Sequence, residues 1–440
     1  MQGSSLKVAL VFPYFRTHAR TEILFPPLGA ASLTSQLRQL GLGSRVFDGT
    51  FSTHERILEA LTSYHPQIVG IYAMITLTRN ALALAEAIRA RLPDCLLVAG
   101  GPMPTLYPQR YTSLFDAVFR GEADLSFPRF CRDFLNRGVS RHSLRDLPLD
   151  SYEGLTVKSA QAEVDNPAVH HAESTLRAFP LPDRSDFDHR AYQASWLEKS
   201  EPTTASIITT FGCPFDCEFC SKPVFGQLFR RRDLDVVFEE VRLLRALGYD
   251  SLWIADDNFT LDPCHLEEFC RRITPAGVAW SCLSRASGVK DAMALEMKEA
   301  GCCKVYLGLE SGAEDTLRLM DKRVTVQEGA EAVERYHVAG IEVAAFFIVG
   351  YPGENAGSIE ATLKLALDLP LDEISFNVPF PLPGSRLFDR VVGVDEAKDW
   401  TYENEVAFVY PSEFDEAWLR RRIDETVEAF TQRKDGGSEP

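Results

Sequence analysis

Short apolar runs alternate with longer amphipathic stretches over the first third of the chain. The apolar runs have the length of strands, and the stretches between them carry apolar residues at helical spacing. The predicted strands cover residues 8–12, 45–47, 68–73, 96–99 and 117–119, and the predicted helices cover 27–40, 55–64, 79–91 and 126–136. Such alternation indicates a parallel sheet with right-handed crossovers. Residues 1–137 are therefore predicted to form a Rossmann-like α/β domain.

A different pattern covers residues 138–204, where charged and polar residues replace the periodic apolar positions. The stretch includes His170, His171 and the run PLPDRSDF. Neither a helical nor a strand period is visible in it. The sequence therefore predicts an extended linker with little regular structure between two domains.

A second alternation of strands and helices follows the linker. The predicted strands cover residues 205–210, 251–255, 279–283, 304–309, 342–349 and 373–379, and the predicted helices cover 233–247, 262–273, 289–300, 325–339 and 357–369. Six strand-helix units predict a partial (β/α)6 barrel of the TIM type over residues 205–390 rather than a closed eightfold one. Residues 391–440 are predicted to add one helix, 413–433, and a disordered tail with the sequence KDGGSEP.

Charge and composition exclude some classes of function. The 440 residues carry a formal net charge of -17, which argues against wrapping a nucleic-acid backbone, since that requires clustered cations. The start of the sequence lacks the pattern of a signal peptide. Elsewhere no apolar run approaches the roughly 20 residues that span a bilayer. We expect a cytoplasmic protein without a membrane span or a nucleic-acid partner.

Three of the ten cysteines form a compact motif. Cys213, Cys217 and Cys220 lie in TTFGCPFDCEFCSK, directly after the first strand of the second alternation. A C-x-x-x-C-x-x-C loop can bind three irons of a 4Fe-4S cluster and leave the fourth iron open. The alternatives are a zinc site, which requires four ligands although only Cys264 and His265 lie near in sequence, and ordinary buried thiols.

The cysteine motif strongly resembles that of the radical S-adenosylmethionine (SAM) family. The resemblance implies that the open iron is chelated by the amino and carboxylate groups of SAM, which is cleaved to a 5'-deoxyadenosyl radical. It also implies SAM-binding residues on the loop and at the carboxyl ends of the second, fourth and fifth barrel strands. These are Phe219, Asp256, Asp257, Glu310, Ser311, Ile348 and Gly350.

Structural explanations exist for several of these positions. Asp256 and Asp257 follow the second barrel strand, where ligand-binding groups gather, but they also suit a helix cap or a solvated turn. Glu310 and Ser311 provide groups that suit sugar hydroxyls and an ammonium. Arg285, after the third strand, suits a carboxylate partner or an ordinary ion pair. No catalytic residue is assigned.

The N-terminal domain resembles the cobalamin-binding domain that precedes one group of radical SAM enzymes. The resemblance rests on FPPLGAASLTSQLRQLG, VAGGPMPTLYP and FRGEAD. It implies cobalamin contacts from Pro27, Leu28, Gly29, Gly100, Gly101, Met103, Thr105 and Glu122. The chain lacks D-x-H-x-x-G, and Met103 replaces a histidine often found in relatives. A vestigial or substrate-holding domain is the alternative.

Three functions follow from the resemblance. The first is cobalamin-dependent methyl transfer to an unactivated carbon of a small molecule or lipid-like substrate, with a reductant of the flavodoxin or ferredoxin type. The second is a cyclisation, rearrangement or oxidation without methyl transfer, and the third is a non-catalytic cobalamin or metal sensor. The aromatic residues Trp400, Tyr402, Phe408, Tyr410, Phe414 and Trp418 suit either a substrate pocket or the protein core.

Overall fold

The computed structural model describes residues 7–15, 24–159, 162–222, 224–394 and 408–436. The chain divides into two compact units, each formed by two segments. The first unit comprises Met1–Ser206 and Pro223–Tyr249, and the second comprises Ile207–Lys222 and Asp250–Pro440. The α/β fold class is confirmed in both.

The first unit is built on a seven-stranded sheet with the strand order 2-1-3-4-5-6-7. Its strands are Lys7–Phe12, Gly43–Asp48, Ile68–Tyr72, Leu96–Gly100, Ala117–Phe119, Leu155–Lys158 and Glu163–Asp165. The first five strands pair in parallel, while the last two pairings are antiparallel. The order 2-1-3-4-5 is that of a doubly wound nucleotide-binding-type sheet, in which ligands bind beyond the carboxyl ends of the strands.

The helices of the first unit agree with the prediction at 28–39, 54–64, 78–91 and 126–136, whereas those at 102–106, 173–176 and 189–197 were not predicted. They are Leu28–Gln39, His54–Tyr64, Thr78–Arg91, Pro102–Leu106, Ser126–Asn136, Glu173–Leu176, His189–Leu197 and Leu234–Ala246. Aliphatic and aromatic side chains of strands and helices, among them Val8, Ile68 and Phe130, are buried in the core.

Residues 138–204 differ from the predicted linker. They contain the two antiparallel strands that extend the first sheet and the helix His189–Leu197. These strands have only three or four residues, too few to produce a recognisable period. Asn166 donates to the carbonyls of Leu149 and Tyr152 and so ties the segment internally. Residues 138–204 are thus held in place by specific side-chain contacts, although their sequence shows no regular apolar spacing.

The helix Leu234–Ala246 was predicted within the barrel segment, but it belongs to the first compact unit. Its Glu240 is buried and accepts from Arg184 at 2.6 Å. Asp233 caps this helix as predicted by accepting from the backbone of Asp235. A buried ion pair to a distant segment cannot be found from helical periodicity.

The second alternation forms an open sheet of six strands in chain order, which confirms the partial barrel. Its strands are Thr204–Ile207, Ser251–Ile254, Ala279–Ser284, Cys302–Glu310, Glu342–Ile348 and Glu373–Asn377, numbered below as barrel strands one to six. Strands two to six pair in parallel. Their carboxyl ends therefore lie at one edge of the sheet, called the barrel mouth below.

The helices of the second unit follow the barrel strands. They are Pro263–Ile273, Asp291–Glu299, Glu314–Leu319, Val326–Val338, Ala356–Asp368, Arg386–Arg390 and Glu416–Gly436. Thr325 and Glu328 form a capping box that fixes the start of Val326–Val338. The last helix continues to Gly436, although a disordered tail was predicted from Lys434, whose ammonium donates to the carbonyl of Asp372. Among the described residues, no helix is both long and apolar enough to cross a bilayer.

Candidate active site

The cysteine loop begins at the barrel mouth after the short strand Thr210–Phe211. Gly212 has a φ of 77°, a left-handed conformation that turns the chain into the loop. Cys217 is buried, Cys213 is half-buried and Cys220 is exposed. The amide of Cys220 donates to the carbonyl of Cys217 at 3.0 Å, which makes the end of the motif a tight turn.

Backbone amides donate to two of the cysteine sulfurs. Burial raises the pKa of Cys213 and raises that of Cys220 to about 11, while amide donors from Phe215 and Lys222 respectively act in the opposite direction. N–H donors to ligand sulfurs are a common feature of iron–sulfur sites. Because metal ions bind the thiolate, cluster binding must displace the thiol protons. The loop therefore fits a cluster whose anionic sulfurs accept these amides.

The described residues contain no group of three Cys, His, Asp or Glu side chains arranged to bind one metal ion. A structural zinc ion requires such convergence, whereas in a cubane each thiolate binds a different iron.

Glu218, inside the motif, anchors the loop to the rest of the second unit. Its carboxylate accepts from the Tyr351 hydroxyl at 2.6 Å and pairs with Arg390 at 3.0 Å. Its amide donates to Met320, and its carbonyl accepts from the Leu387 amide. The loop is thus fixed between Cys217 and Phe219 by contacts that the sequence motif does not reveal.

The two aspartates after the second barrel strand have different environments. Asp256 is 1% exposed, and its carboxylate accepts from the Thr209 amide at 2.6 Å and from the hydroxyls of Thr209 and Thr210. Asp257 is exposed and accepts from the amide of Gly212 beside the cysteine loop. The Asp256 carboxylate is occupied by internal donors, whereas Asp257 faces accessible space.

Glu310 forms a buried ion pair with Lys322 at 2.6 Å at the end of the fourth barrel strand. Glu310 has a φ of 65°, a conformation that costs a non-glycine residue about 1–3 kcal/mol. A Cβ at Gly308 would lie 2.3 Å from the Glu310 carboxylate and 2.8 Å from the Lys322 ammonium, so a larger residue there would displace this ion pair. The ammonium also lies 5.9 Å from the centre of the Phe219 ring. Lys322 therefore lies beside two predicted SAM-binding residues, Glu310 and Phe219.

The remaining predicted SAM residues also lie at the barrel mouth. The Ser311 hydroxyl is buried and pairs with Thr362 at 3.0 Å, while Phe219 and Ile348 pack in one apolar cluster. Gly350 has a φ of 80°, and a Cβ there would lie 2.7 Å from the Phe408 ring. The space beside Gly350 in that direction is therefore filled by the C-terminal segment, not left open.

Several predicted cobalamin residues lie at the carboxyl ends of the fourth and fifth strands of the first sheet. Gly101 has a φ of 108°, and a Cβ there would lie 2.7 Å from the Ala73 carbonyl. Thr105 donates to the Gly101 carbonyl and accepts from the Gly121 amide, which connects the two loops. Gly100 ends the fourth strand.

The helix Leu28–Gln39 provides another part of this predicted set. Pro27 occupies its N-cap position, Leu28 is its first residue, and Gly29 is exposed with open space around its Cα. Because the helix begins with an open first turn, a ligand can approach its backbone there. Contact with cobalamin remains a prediction.

Met103 and Glu122 face inward rather than toward open space. Met103 is 2% exposed. The buried carboxylate of Glu122 pairs with Arg230 at 2.6 Å, pairs with His170 at 3.2 Å and accepts from the His171 amide. Such a network fixes loops within the first unit. Neither side chain is arranged in this structure to reach a ligand at the edge.

Two family models match the chain. The radical SAM superfamily model matches residues 207–366, and the B12 binding domain model matches residues 19–130. The first match includes all three motif cysteines and the predicted SAM-binding positions. The chain contains a radical SAM domain and a B12 binding domain.

Known proteins are similar to this chain over most of its length. It is 29% identical over 88% of its length to a protein of Pyrococcus horikoshii named an uncharacterized methyltransferase, covering 83% of that relative. It is 26% identical over 93% of its length to the anaerobic magnesium-protoporphyrin IX monomethyl ester cyclase of Rubrivivax gelatinosus, covering 74% of that relative.

A solved structure shares the fold. The radical SAM methyltransferase TsrM from Kitasatospora setae, with cobalamin and a 4Fe-4S cluster bound, aligns with a TM-score of 0.72 and 19% identity. The alignment covers 90% of this chain and 76% of TsrM. The fold prediction is thereby confirmed.

The domain matches confirm that the chain is a radical SAM enzyme and confirm its predicted cofactors: a 4Fe-4S cluster, SAM and cobalamin. Which residues contact each cofactor remains a prediction. Sequence reasoning missed Lys322, Glu218 and Tyr351, because each acts through a partner distant in sequence. Of these three, only Glu218 could have been singled out from the sequence, because it lies inside the cysteine motif.

Alanine substitutions at Asp256 and Asp257 should separate a structural role of Asp256 from a SAM-binding role of Asp257. Asp256→Ala removes the acceptor of the Thr209 amide and of the Thr209 and Thr210 hydroxyls, and it should lower the free energy of unfolding by about 3 kcal/mol. Asp257→Ala, at an exposed position, should change it by less than about 1 kcal/mol but weaken SAM binding about tenfold. Urea unfolding and equilibrium SAM binding check both; equal destabilisation by the two substitutions would contradict the assignment.

Proposed function

We propose that this radical SAM enzyme is a cobalamin-dependent methyltransferase that acts on an unactivated carbon of a small molecule. The observation that carries the proposal is the presence of a radical SAM domain and a B12 binding domain in one chain. A relative named a methyltransferase covers most of both domains. Methyl transfer is one reaction that uses both cofactors directly.

The bound cofactors would supply an electron for SAM cleavage and a methyl group for transfer. Cys213, Cys217 and Cys220 would hold the cluster at the barrel mouth. Asp257, exposed beside the Gly212 amide, would accept from the SAM amino group. Phe219 would provide a face for the adenine, and the Glu218 contacts to Tyr351 and Arg390 would keep the loop in position during reduction.

The substrate site is proposed beside the C-terminal segment. A cavity of about 910 Å³ there has a size typical of small-molecule pockets. It is lined by Phe408, Tyr410, Ser412, Phe414, Asp415, Glu416, Ala417, Arg420, Arg421, Asp424, Glu425 and Glu428. This mixed lining suits a molecule with both apolar and charged parts.

The aromatic residues of this segment have a structural role as well. Phe408 and Tyr410 are buried in the core, and Phe414 and Trp418 pack against it, while Trp400 and Tyr402 lie outside the described residues. The reductant is proposed to be a flavodoxin- or ferredoxin-type protein. A cytoplasmic location remains a prediction from the sequence.

A cyclase or another radical rearrangement enzyme is the second candidate, because the Rubrivivax relative is named a cyclase. A sensor without catalysis has no comparable support. The two catalytic candidates differ in the products that they form from SAM.

Product analysis distinguishes methyl transfer from rearrangement. Anaerobically reconstituted enzyme with cobalamin, SAM, a reductant and a panel of small molecules should form S-adenosylhomocysteine and a product about 14 Da heavier than its substrate, the mass that one methyl group adds. Enzyme reconstituted without cobalamin is the control and should not form this product. Turnover that yields 5'-deoxyadenosine but no S-adenosylhomocysteine and no mass gain would contradict methyl transfer.

A further inference from the structure

Arg285 directly follows the third barrel strand and is 7% exposed. Its guanidinium carbon lies 3.9 Å from the centre of the Phe215 ring, within the cysteine loop. Stacking on an aromatic ring fixes the plane of a guanidinium while leaving its N–H groups available at the edges. The orientation of Arg285 is therefore set by the loop itself.

One edge of this guanidinium faces a cysteine sulfur. Arg285 Nη1 donates to Cys217 Sγ at 3.5 Å. The Nε and Nη2 atoms are buried and have no hydrogen-bond partner among the described residues. Leaving buried N–H groups of a cation unsatisfied costs considerable free energy. An anionic group beside Arg285 would remove this cost.

We propose that Arg285 is a positioning residue that sets the reduction potential of the cluster through its hydrogen bond to Cys217. Reduction adds one electron, supplied by a donor of the flavodoxin or ferredoxin class, and makes the cluster more negative. A fixed cation and hydrogen bonds to the sulfurs stabilise that reduced form, so the potential rises. The low exposure of Arg285 limits screening by solvent.

Packing alone does not account for an arginine at this position. An apolar side chain would cover Phe215 without burying unsatisfied donors. A second arginine near the loop, Arg386, is half-exposed and pairs with Asp216 and Asp321. Its charge is neutralised and solvated, so it should influence the cluster much less. Arg386 therefore provides a matched control.

The test is a potentiometric titration of the anaerobically reconstituted full chain, followed by electron paramagnetic resonance of the reduced cluster. At a fixed ambient potential, Arg285→Met should lower the ratio of reduced to oxidised cluster at least tenfold, a shift of about 59 mV for a one-electron couple. Arg285→Gln, which keeps an N–H donor without the charge, should shift the ratio in the same direction. Arg386→Met should leave it within about twofold.

The inference rests on the assignment of the cluster to Cys213, Cys217 and Cys220, and the experiment separates the two claims. Unaltered chain without iron and sulfide after reconstitution would contradict the cluster assignment. A cluster with the same potential in both Arg285 variants would overturn only the role of Arg285. If Arg285→Met cannot retain a cluster, the Arg285→Gln variant decides: a lower reduced fraction supports the proposal, and an unchanged one overturns it.

Discussion

Replacing Lys322 with methionine is expected to lower the free energy of unfolding by about 3–5 kcal/mol. The substitution keeps most of the length of the side chain but removes the cation that pairs with Glu310 at 2.6 Å. Both residues are 7% exposed, so the remaining carboxylate would be buried without its partner. Removing one member of a buried ion pair is far more costly than removing both.

Urea unfolding of the cluster-free protein measures this effect. The double variant Glu310→Gln with Lys322→Met should recover most of the lost stability, because no uncompensated charge remains. Lys364→Met is the matched control: Lys364 pairs with Asp368 on an exposed helix surface and should contribute less than about 1 kcal/mol. A Lys322→Met variant as stable as Lys364→Met would contradict the ion-pair assignment.

Replacing Cys217 with serine is expected to abolish both cluster binding and SAM cleavage. A serine hydroxyl is a poor ligand for iron compared with a thiolate, and Cys217 is the buried cysteine of the motif, next to the Glu218 anchor. Iron and sulfide content after anaerobic reconstitution, together with the absorbance of the cluster, measures the loss.

Cys264→Ser provides the control for this substitution. Cys264 is also a free cysteine, it is exposed, and it was the nearest alternative metal ligand in the sequence. It should retain the iron, the sulfide and the SAM cleavage of the unaltered enzyme. Loss of the cluster in Cys264→Ser, or its retention in Cys217→Ser, would show that the ligand set has been assigned incorrectly.

The spacing of apolar residues predicted the strands and helices that are long enough to show a clear repeat or that have turn residues at both ends. The strand Ala117–Phe119 and the helix Ser126–Asn136 have the predicted bounds, because apolar positions and turn residues both mark their ends. The strands Leu155–Lys158 and Glu163–Asp165 were not predicted. They are too short for a period and depend on pairing with the edge of the first sheet.

The candidate site was predictable where its residues form a local motif. The three cysteines could be found because the spacing within one loop matches the chemistry of a cluster. The difference between Asp256 and Asp257 could not be found, since it depends on Thr209 and Thr210 in another part of the chain. Lys322 likewise acquires its role from a fold that brings it to Glu310, twelve residues away.

The most direct test of the central claim is the formation of 5'-deoxyadenosine by the reduced enzyme. Anaerobically reconstituted protein, incubated with SAM and dithionite, should release 5'-deoxyadenosine, detected by mass spectrometry, and Cys217→Ser prepared in the same way should release none above background. A fully loaded cluster that is reduced in the presence of SAM but forms no 5'-deoxyadenosine would contradict radical SAM catalysis at this site.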